Sequence, residues 1–169
     1  QYGEYESRVQ AIIQNIKENG DEALFSYTKQ FDKADINASN VKVTDEEFEE
    51  AYKAVDPALL DVIRKALVNI ESYHELQKQN SWFKSTPQGT MLGQKVTPLE
   101  KVGVYVPGGK AVYPSSVLMN IMPAKVAGVD KIIMTTPCNA EGKVNPAVLV
   151  AAKEAGADAA KFQHFKAKT

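Results

Sequence analysis

The residues best suited to bind a ligand form one short loop, Tyr105-Val106-Pro107-Gly108-Gly109. Glycines allow backbone N–H groups to approach a ligand, and a helix that starts after such a loop favours an anion. In open α/β sheets, ligands bind beyond the carboxyl ends of the strands, which is where this loop would lie. An ordinary strand-to-helix turn explains the same residues, because the spacing is neither GxGxxG nor that of a P-loop. The loop is therefore a candidate site with two interpretations.

Candidate nucleophiles and metal ligands are few and scattered. Ser115 and Ser116 lie at a predicted helix start, where serine is common, and no GxSxG motif surrounds them. His74 and His164 are about ninety residues apart and Cys138 is the only cysteine, so the chain has no spacing typical of a metal site. Nothing near Cys138 in the sequence indicates an activated thiol. The sequence predicts no catalytic residue and no metal ligand in this chain.

The composition argues against several classes of function. The 169 residues carry 20 Lys and Arg against 21 Asp and Glu, a net charge of −1 that indicates neither a nucleic-acid nor an anionic-membrane partner. No apolar run approaches the roughly 20 residues that a membrane span needs. A single cysteine excludes a disulfide framework and favours a cytoplasmic location. The length allows one domain with a substantial core, or two small ones.

Helices should dominate the first half of the chain. They are predicted over residues 4–19, after Asp21, after the capping-box residue Thr44, and from Asp56 to about residue 79. Gly20 should separate the first two as a helix C-cap, and residues 41–43 are a strand candidate. The expected buried stripes are Val9, Ile12, Ile13 and Ile16 in the first helix, and Leu59, Ile63, Leu67, Ile70 and Tyr73 or His74 in the last.

The second half alternates strands and helices. A hairpin or an irregular crossing segment is expected between residues 81 and 98, where prolines and glycines interrupt a strand-like pattern. The other predicted elements are a strand at 102–106, a helix at 115–128 opened by Pro114, a strand at 131–136, and a helix at 146–155 between Asn145 and Gly156. This alternation predicts a parallel sheet. No further strand is predicted after Gly156, because the remaining residues include few β-branched side chains.

The run VGVYVPGG at residues 102–109, continued by PSSVLM at residues 114–119, resembles the signature of the histidinol dehydrogenase family. GDEAL at residues 20–24 and NIE at residues 69–71 also match helices of that family. The resemblance extends over roughly residues 4–158, which is nearly the whole chain. The combination of the proline-glycine loop with its continuation is specific to this family.

The resemblance implies a zinc- and NAD-dependent enzyme of histidine biosynthesis that oxidises L-histidinol to L-histidine, through an aldehyde, by two successive hydride transfers. It also implies an α/β fold with incomplete Rossmann-like parallel sheets, related to the aldehyde dehydrogenases and preceded by a mainly helical N-terminal segment. The family forms an intertwined homodimer. On this pattern residues 1–104 are the helix-rich part of the first domain, and residues 105–169 are the unfinished first half of an inserted Rossmann-like domain.

For the cofactor, the resemblance assigns Tyr105, Pro107 and Phe31 to the NAD site, and the loop adds Gly108 and Gly109. The family's zinc ligands and general base correspond to no residue here, and FQHF at residues 162–165 stands where the family has a cofactor-binding GGAQ motif. We therefore expect a truncated part of the family enzyme, with neither zinc nor activity of its own.

Two other functions stay open at this point. One is a non-catalytic α/β module that only folds or self-associates. The other is an unrelated small protein that binds a nucleotide or a phosphate with the Gly108-Gly109 loop.

Overall fold

The computed structural model describes residues 2–108 and 112–161. Its elements, in chain order, are α1 (Tyr2–Phe31), α2 (Asp45–Ala54), α3 (Pro57–Glu75), β1 (Trp82–Ser85), β2 (Met91–Gln94), β3 (Lys101–Tyr105), α4 (Pro114–Val126), β4 (Lys131–Thr135), α5 (Pro146–Ala155) and β5 (Ala159–Lys161). Gly109 and the FQHF run with His164 lie outside the described residues. No helix in the described part is long and apolar enough to cross a membrane.

The first helix is broken where the sequence predicts a break. Gly20 has φ 57° and ψ −128° inside α1, a conformation that strongly favours glycine, so two helical segments meet there. The apolar face of the first segment is only partly covered, since Val9 and Ile13 are 54% and 47% exposed while Ile12 and Ile16 are half-buried. Its stripe has helical spacing, yet no other described helix or strand packs extensively against it. Periodicity identified the helix but could not identify what would cover it.

Local capping sets the starts of the next two helices. Thr44 and Glu47 form the predicted capping box, with Glu47 N donating to Thr44 Oγ1 at 3.2 Å and Thr44 N donating to Glu47 Oε2 at 2.9 Å. The Asp56 carboxylate accepts from the backbone N–H of Ala58 at 2.8 Å, and Pro57 opens α3. The end of α3 was placed about four residues too late, because the helix stops at Glu75.

Two details of the helical half differ from the sequence-based expectation. Leu59 and Tyr73 are 40% and 60% exposed, and the packed face of α3 centres instead on Ile63, with Leu60, Leu67, Ile70 and His74 only partly exposed. Residues 41–43 form no regular strand, although the side chains of Val41 and Val43 are buried. Apolar side chains in an extended connection gave the same signal as a strand would.

The segment between α3 and β3 forms the predicted hairpin. Strands β1 and β2 pair antiparallel, with Trp82 opposite Gln94 and Ser85 opposite Met91. Both faces of this two-stranded sheet are exposed, including the large side chains of Trp82 and Phe83.

The second sheet is parallel, as the strand–helix alternation predicts, and has the order β3-β4-β5. The fold is therefore of the α/β class, with a short and incomplete parallel sheet. One expectation was wrong: a strand does follow Gly156, since β5 pairs with β4 from Ile133 opposite Ala159 to Thr135 opposite Lys161. Backbone pairing with an existing strand formed this three-residue strand without β-branched side chains.

Helices α4 and α5 form the centre of the core. Asn145 caps α5, Gly156 ends it with φ 82°, and Pro114 opens α4, all as predicted. Helix α3 packs on α4, and α2 packs on α5, so the N-terminal helices and the parallel sheet share one core. The domain boundary at residue 104 stays a prediction.

Candidate functional site

A groove lies where the carboxyl ends of β3 and β4 meet the end of α1. Its volume is about 200 Å³, and it is lined by Thr28, Phe31, Asp32, Tyr105, Thr136, Pro137 and Cys138. We call it the aromatic groove, because two aromatic residues line it, Phe31 and Tyr105, which come from segments far apart in the chain. Parallel pairing of β3 with β4 brings Tyr105 beside Thr135, which immediately precedes Thr136 and Pro137.

Both rings stay half exposed, 53% for Phe31 and 51% for Tyr105. Phe31 is the last residue of α1, and its ring stacks on that of Tyr27 with centroids 5.7 Å apart and an interplanar angle of 1°. The Tyr27 hydroxyl accepts a hydrogen bond from Asn15 Nδ2 at 2.9 Å, which ties the stack to the first segment of α1. Both side chains are therefore accessible to a ligand, unlike an aromatic side chain of the core.

Strand alternation orients Tyr105. Its neighbour Val106 is fully buried and donates its backbone N–H to Thr135 O at 2.9 Å, which fixes the end of β3. Because successive side chains point to opposite faces, burial of Val106 directs Tyr105 outward.

A second groove adjoins the first and is lined in part by Gly108 of the proline-glycine loop. It has a volume of about 400 Å³, and its lining includes Gly108, Val112, Thr136, Pro137, Cys138 and Lys143. A Cβ added to Gly108 would lie 3.4 Å from both Pro137 Cδ and Thr136 Oγ1, so the loop backbone closely approaches the turn after β4. We call this the glycine groove.

The predicted cofactor residues are thus distributed unevenly. Phe31 and Tyr105 line the aromatic groove and Gly108 lines the glycine groove. Pro107 is exposed and lines neither groove.

Three lining residues follow β4 and face both grooves: Thr136, Pro137 and Cys138. Sequence reasoning passed over Thr136 and Pro137 and considered Cys138 only as a nucleophile. The sequence could have indicated them, because they follow a predicted parallel strand next to the strand of the candidate loop, and ligands bind at that edge of the sheet.

The thiol in the groove is not activated. Burial raises the pKa of Cys138, and the nearby Asp32 carboxylate raises it further, so the neutral thiol is favoured. Burial also raises the pKa of Asp32.

The other candidates for chemistry lie away from these grooves. Ser115 and Ser116 occupy the first turn of α4 and line neither groove. His74 Nδ1 lies 2.7 Å from Gln77 Oε1, near the end of α3. Among the residues that the structure describes, no group of three or more His, Cys, Asp and Glu side chains is arranged to hold a metal ion. The described residues therefore do not fit a zinc site.

Comparisons with known proteins agree with the sequence resemblance. A profile described as histidinol dehydrogenase matches residues 1–161. A histidinol dehydrogenase of Bacillus subtilis (strain 168) is 56% identical over 153 residues, which are 90% of this chain and 35% of that protein. One of Heliobacterium mobile is 52% identical over 151 residues, with 89% and 35% covered.

A solved structure gives the same result for the fold. The crystal structure of histidinol dehydrogenase from Elizabethkingia anophelis matches with a TM-score of 0.85 and 35% identity, over 93% of this chain and 36% of that one. The chain thus spans about a third of the length of the relatives it matches. Because the family profile covers nearly all of its residues, the chain belongs to the histidinol dehydrogenase family.

Proposed function

We propose that this chain is the cofactor-facing, N-terminal portion of a histidinol dehydrogenase, an enzyme that oxidises L-histidinol to L-histidine with NAD and zinc. The observation that carries the proposal is the aromatic groove, in which two half-exposed aromatic residues from segments far apart in the chain line one cleft beyond the strands. Parallel α/β sheets bind nucleotides at this edge.

The groove lining suits a dinucleotide. Phe31 and Tyr105 offer flat apolar faces on which a base can stack, and the Pro107-Gly108-Gly109 loop is assigned to the same cofactor. The two adjoining grooves measure about 200 and 400 Å³, and only together do they offer the volume of a typical ligand pocket, roughly 300–1,000 Å³. When bound, NAD would supply the hydride acceptor, while these residues would orient it and exclude water from its flat faces.

The described residues supply binding surface, and the family's general base corresponds to no residue of this sequence. Zinc does not fit the described side chains, and Cys138 is held as a neutral thiol. We therefore propose that the chain alone does not turn over L-histidinol. By the same family relation we propose a homodimeric, cytoplasmic enzyme of histidine biosynthesis, with no nucleic-acid or membrane partner.

The test is a titration of NAD into isotope-labelled protein, followed by NMR. Shifts should cluster at Phe31 and from Tyr105 to Gly108, with an affinity on the order of millimolar. Tyr105→Ala should abolish the clustered shifts, whereas Tyr73→Ala should keep them, since Tyr73 is a 60% exposed ring on α3 outside the groove. Shifts elsewhere, or none, would reject the cofactor site.

An activity assay accompanies the titration. With NAD, zinc and L-histidinol, the chain should form no NADH above background. Measurable zinc-dependent turnover would contradict the proposed inactivity.

A further inference from the structure

The aromatic groove has one charged lining residue among seven, Asp32. Its backbone N–H donates to Thr28 O at 2.9 Å, so it continues the last turn of α1 directly after Phe31. The carboxylate and the stacking ring therefore reach the groove from the same helical turn. A ligand whose base stacks on Phe31 would bring its adjacent sugar near this carboxylate.

The Asp32 carboxylate has no hydrogen-bond or ion-pair partner within residues 2–108 and 112–161. Two neighbouring lysines are engaged elsewhere: Lys29 Nζ lies 3.6 Å from Asp35 Oδ1, and Lys33 Nζ donates to Gln30 O at 2.8 Å. In the groove, the Asp32 carboxylate acts electrostatically on the thiol of Cys138, which is not a cation. Among the described residues, no cation is paired with the Asp32 carboxylate in the groove.

The turn after β4 lacks the acidic residue that dinucleotide-binding folds use to bind a ribose hydroxyl. Dinucleotide-binding α/β folds place an acidic residue where it hydrogen-bonds a ribose 2′-hydroxyl, whereas sites for the 2′-phosphate of NADP use arginine. In this chain the turn after β4 carries Thr136 and Pro137, and neither is acidic. Asp32 supplies a carboxylate to the same groove from the end of α1.

We propose that Asp32 is a specificity-determining residue, which accepts hydrogen bonds from the adenosine ribose of NAD and excludes the 2′-phosphate of NADP. This inference rests on the proposed cofactor function of the groove. It assigns the adenosine end to this groove, because the lining provides aromatic faces for a base and, on the same helical turn, a carboxylate for a ribose hydroxyl. Like charges brought together at a binding site cost several kcal/mol, enough to discriminate two cofactors that differ by one phosphate.

The test compares NAD and NADP in NMR titrations of three proteins: the chain itself, Asp32→Asn, and the control Asp35→Asn. Asp35 is a nearby exposed carboxylate that pairs with Lys29 outside the groove. The chain should bind NAD at least about tenfold more tightly than NADP, a difference of about 1.4 kcal/mol. Asp32→Asn should bring the two affinities to within about threefold, mainly by improving NADP, while Asp35→Asn should keep the original ratio.

The outcomes separate the two proposals. Equal affinities in the unmodified chain, or an unchanged ratio in Asp32→Asn, would overturn the role of Asp32 while groove shifts still supported the cofactor site. No groove shifts with either cofactor would reject the cofactor site itself. An equal loss of both cofactors in Asp32→Asn would assign Asp32 to general binding and would also overturn its role in specificity.

We expect Asp32→Asn to fold like the unmodified chain. Burial raises the pKa of Asp32, so its ionised form is less favourable in the folded chain, and removing the charge should not lower stability at neutral pH. Asp32→Ser provides a second variant, for which the same narrowing of the NAD to NADP ratio is expected.

Discussion

Among the individual residues of the groove, Phe31 and Tyr105 are held in different ways. Phe31 depends on its stack with Tyr27, whereas Tyr105 is fixed by the pairing of β3 with β4. Half of each ring is open, so neither contributes the free energy of a fully buried aromatic side chain. A ligand could therefore contact both rings without breaking the Tyr27–Phe31 stack or the pairing of β3 with β4.

Phe31→Ala should separate binding from stability. We expect the free energy of unfolding to fall by about 0.5–1.5 kcal/mol, the value of an aromatic pair, because the ring is 53% exposed. NAD affinity should fall by more, since stacking on a base is worth roughly 1–3 kcal/mol. Urea unfolding and NMR titration measure the two effects.

The control for Phe31 is Phe83→Ala, which removes a 61% exposed ring of the hairpin outside the groove. It should leave NAD binding unchanged. Unaltered NAD binding in Phe31→Ala would show that this ring is not a cofactor contact.

The sequence predicted the candidate residues only in part. Phe31 and Tyr105 came from a family resemblance, and the structure places both rings in one groove. Asp32 and Pro137 were missed as lining residues of the groove. They meet only because the end of α1 lies beside the segment after β4, and these segments are about one hundred positions apart in the sequence. Pro107 came from the same family resemblance, but it lines neither groove.

At the scale of elements, one polar cluster joins three helices. Tyr52 on α2 donates its hydroxyl to Glu154 Oε1 on α5 at 2.7 Å. Arg64 on α3 binds the same carboxylate with two donors, Nε to Oε2 at 2.9 Å and Nη2 to Oε1 at 3.1 Å. We call this the Glu154 cluster, and it connects the N-terminal helices to a helix that flanks the sheet.

The protonation states of the cluster support its hydrogen bonds. The Arg64 hydrogen bonds are the largest cause of the lowered pKa of Glu154, and the Tyr52 hydroxyl lowers it further. Burial, and then the Glu154 carboxylate, raises the pKa of Tyr52 to about 12, so the phenol stays a donor at neutral pH.

Glu154→Gln should destabilise the chain at neutral pH by about 1–2 kcal/mol, because hydrogen bonds to charged groups are worth more than neutral ones, although solvent screens the half-exposed Arg64. A carboxylate with a lowered pKa stabilises the fold above its unfolded pKa and loses that effect as pH falls through the folded value. The stability difference between the two proteins should therefore be constant from about pH 6 to 8 and shrink below about pH 4.5.

Urea unfolding at several pH values measures this difference. The control is Glu50→Gln, since Glu50 is 69% exposed and lies 3.8 Å from Lys143 in a solvent-exposed pair, for which a change of less than about 1 kcal/mol is expected. A pH-independent deficit in Glu154→Gln would mean that packing, and not charge, accounts for the effect.

Features of the elements that depend on neighbouring residues were predicted correctly, whereas those that depend on distant residues were not. The caps at Thr44, Asn145 and Gly156 were predicted because each is decided within a few residues. The packed face of α3 was misjudged at Leu59, because contact with α4 and α5 selects which side is buried. Strand β5 was missed, because its pairing partner β4 lies more than twenty residues earlier.

At the scale of the whole molecule, large apolar side chains are exposed on several elements, among them the first segment of α1 and the β1–β2 hairpin. The first segment of α1 exposes Tyr5, Val9 and Ile13, and the β1–β2 hairpin exposes Trp82, Phe83, Met91 and Leu92. The core lies instead between α2, α3, α4, α5 and the parallel sheet. Exposed surfaces of this kind in soluble proteins typically contact another polypeptide.

We therefore expect the chain to self-associate in a concentration-dependent manner, and the hairpin should contribute to the contact. A two-stranded hairpin with both faces in water is marginally stable alone, so burial against a second chain would stabilise it. The double variant Trp82→Gln with Phe83→Gln should weaken association at least about tenfold, about 1.4 kcal/mol. Because both side chains lie outside the core, the unfolding free energy of the double variant should change little.

Leu76→Gln is the matched control for the hairpin variant. Leu76 is 87% exposed on the C-terminal cap of α3, outside both regions, so association should persist in this variant. Sedimentation velocity over a range of concentrations measures the association. A monomer at all concentrations, or equal association in the double variant, would mean that the hairpin does not mediate contacts between chains.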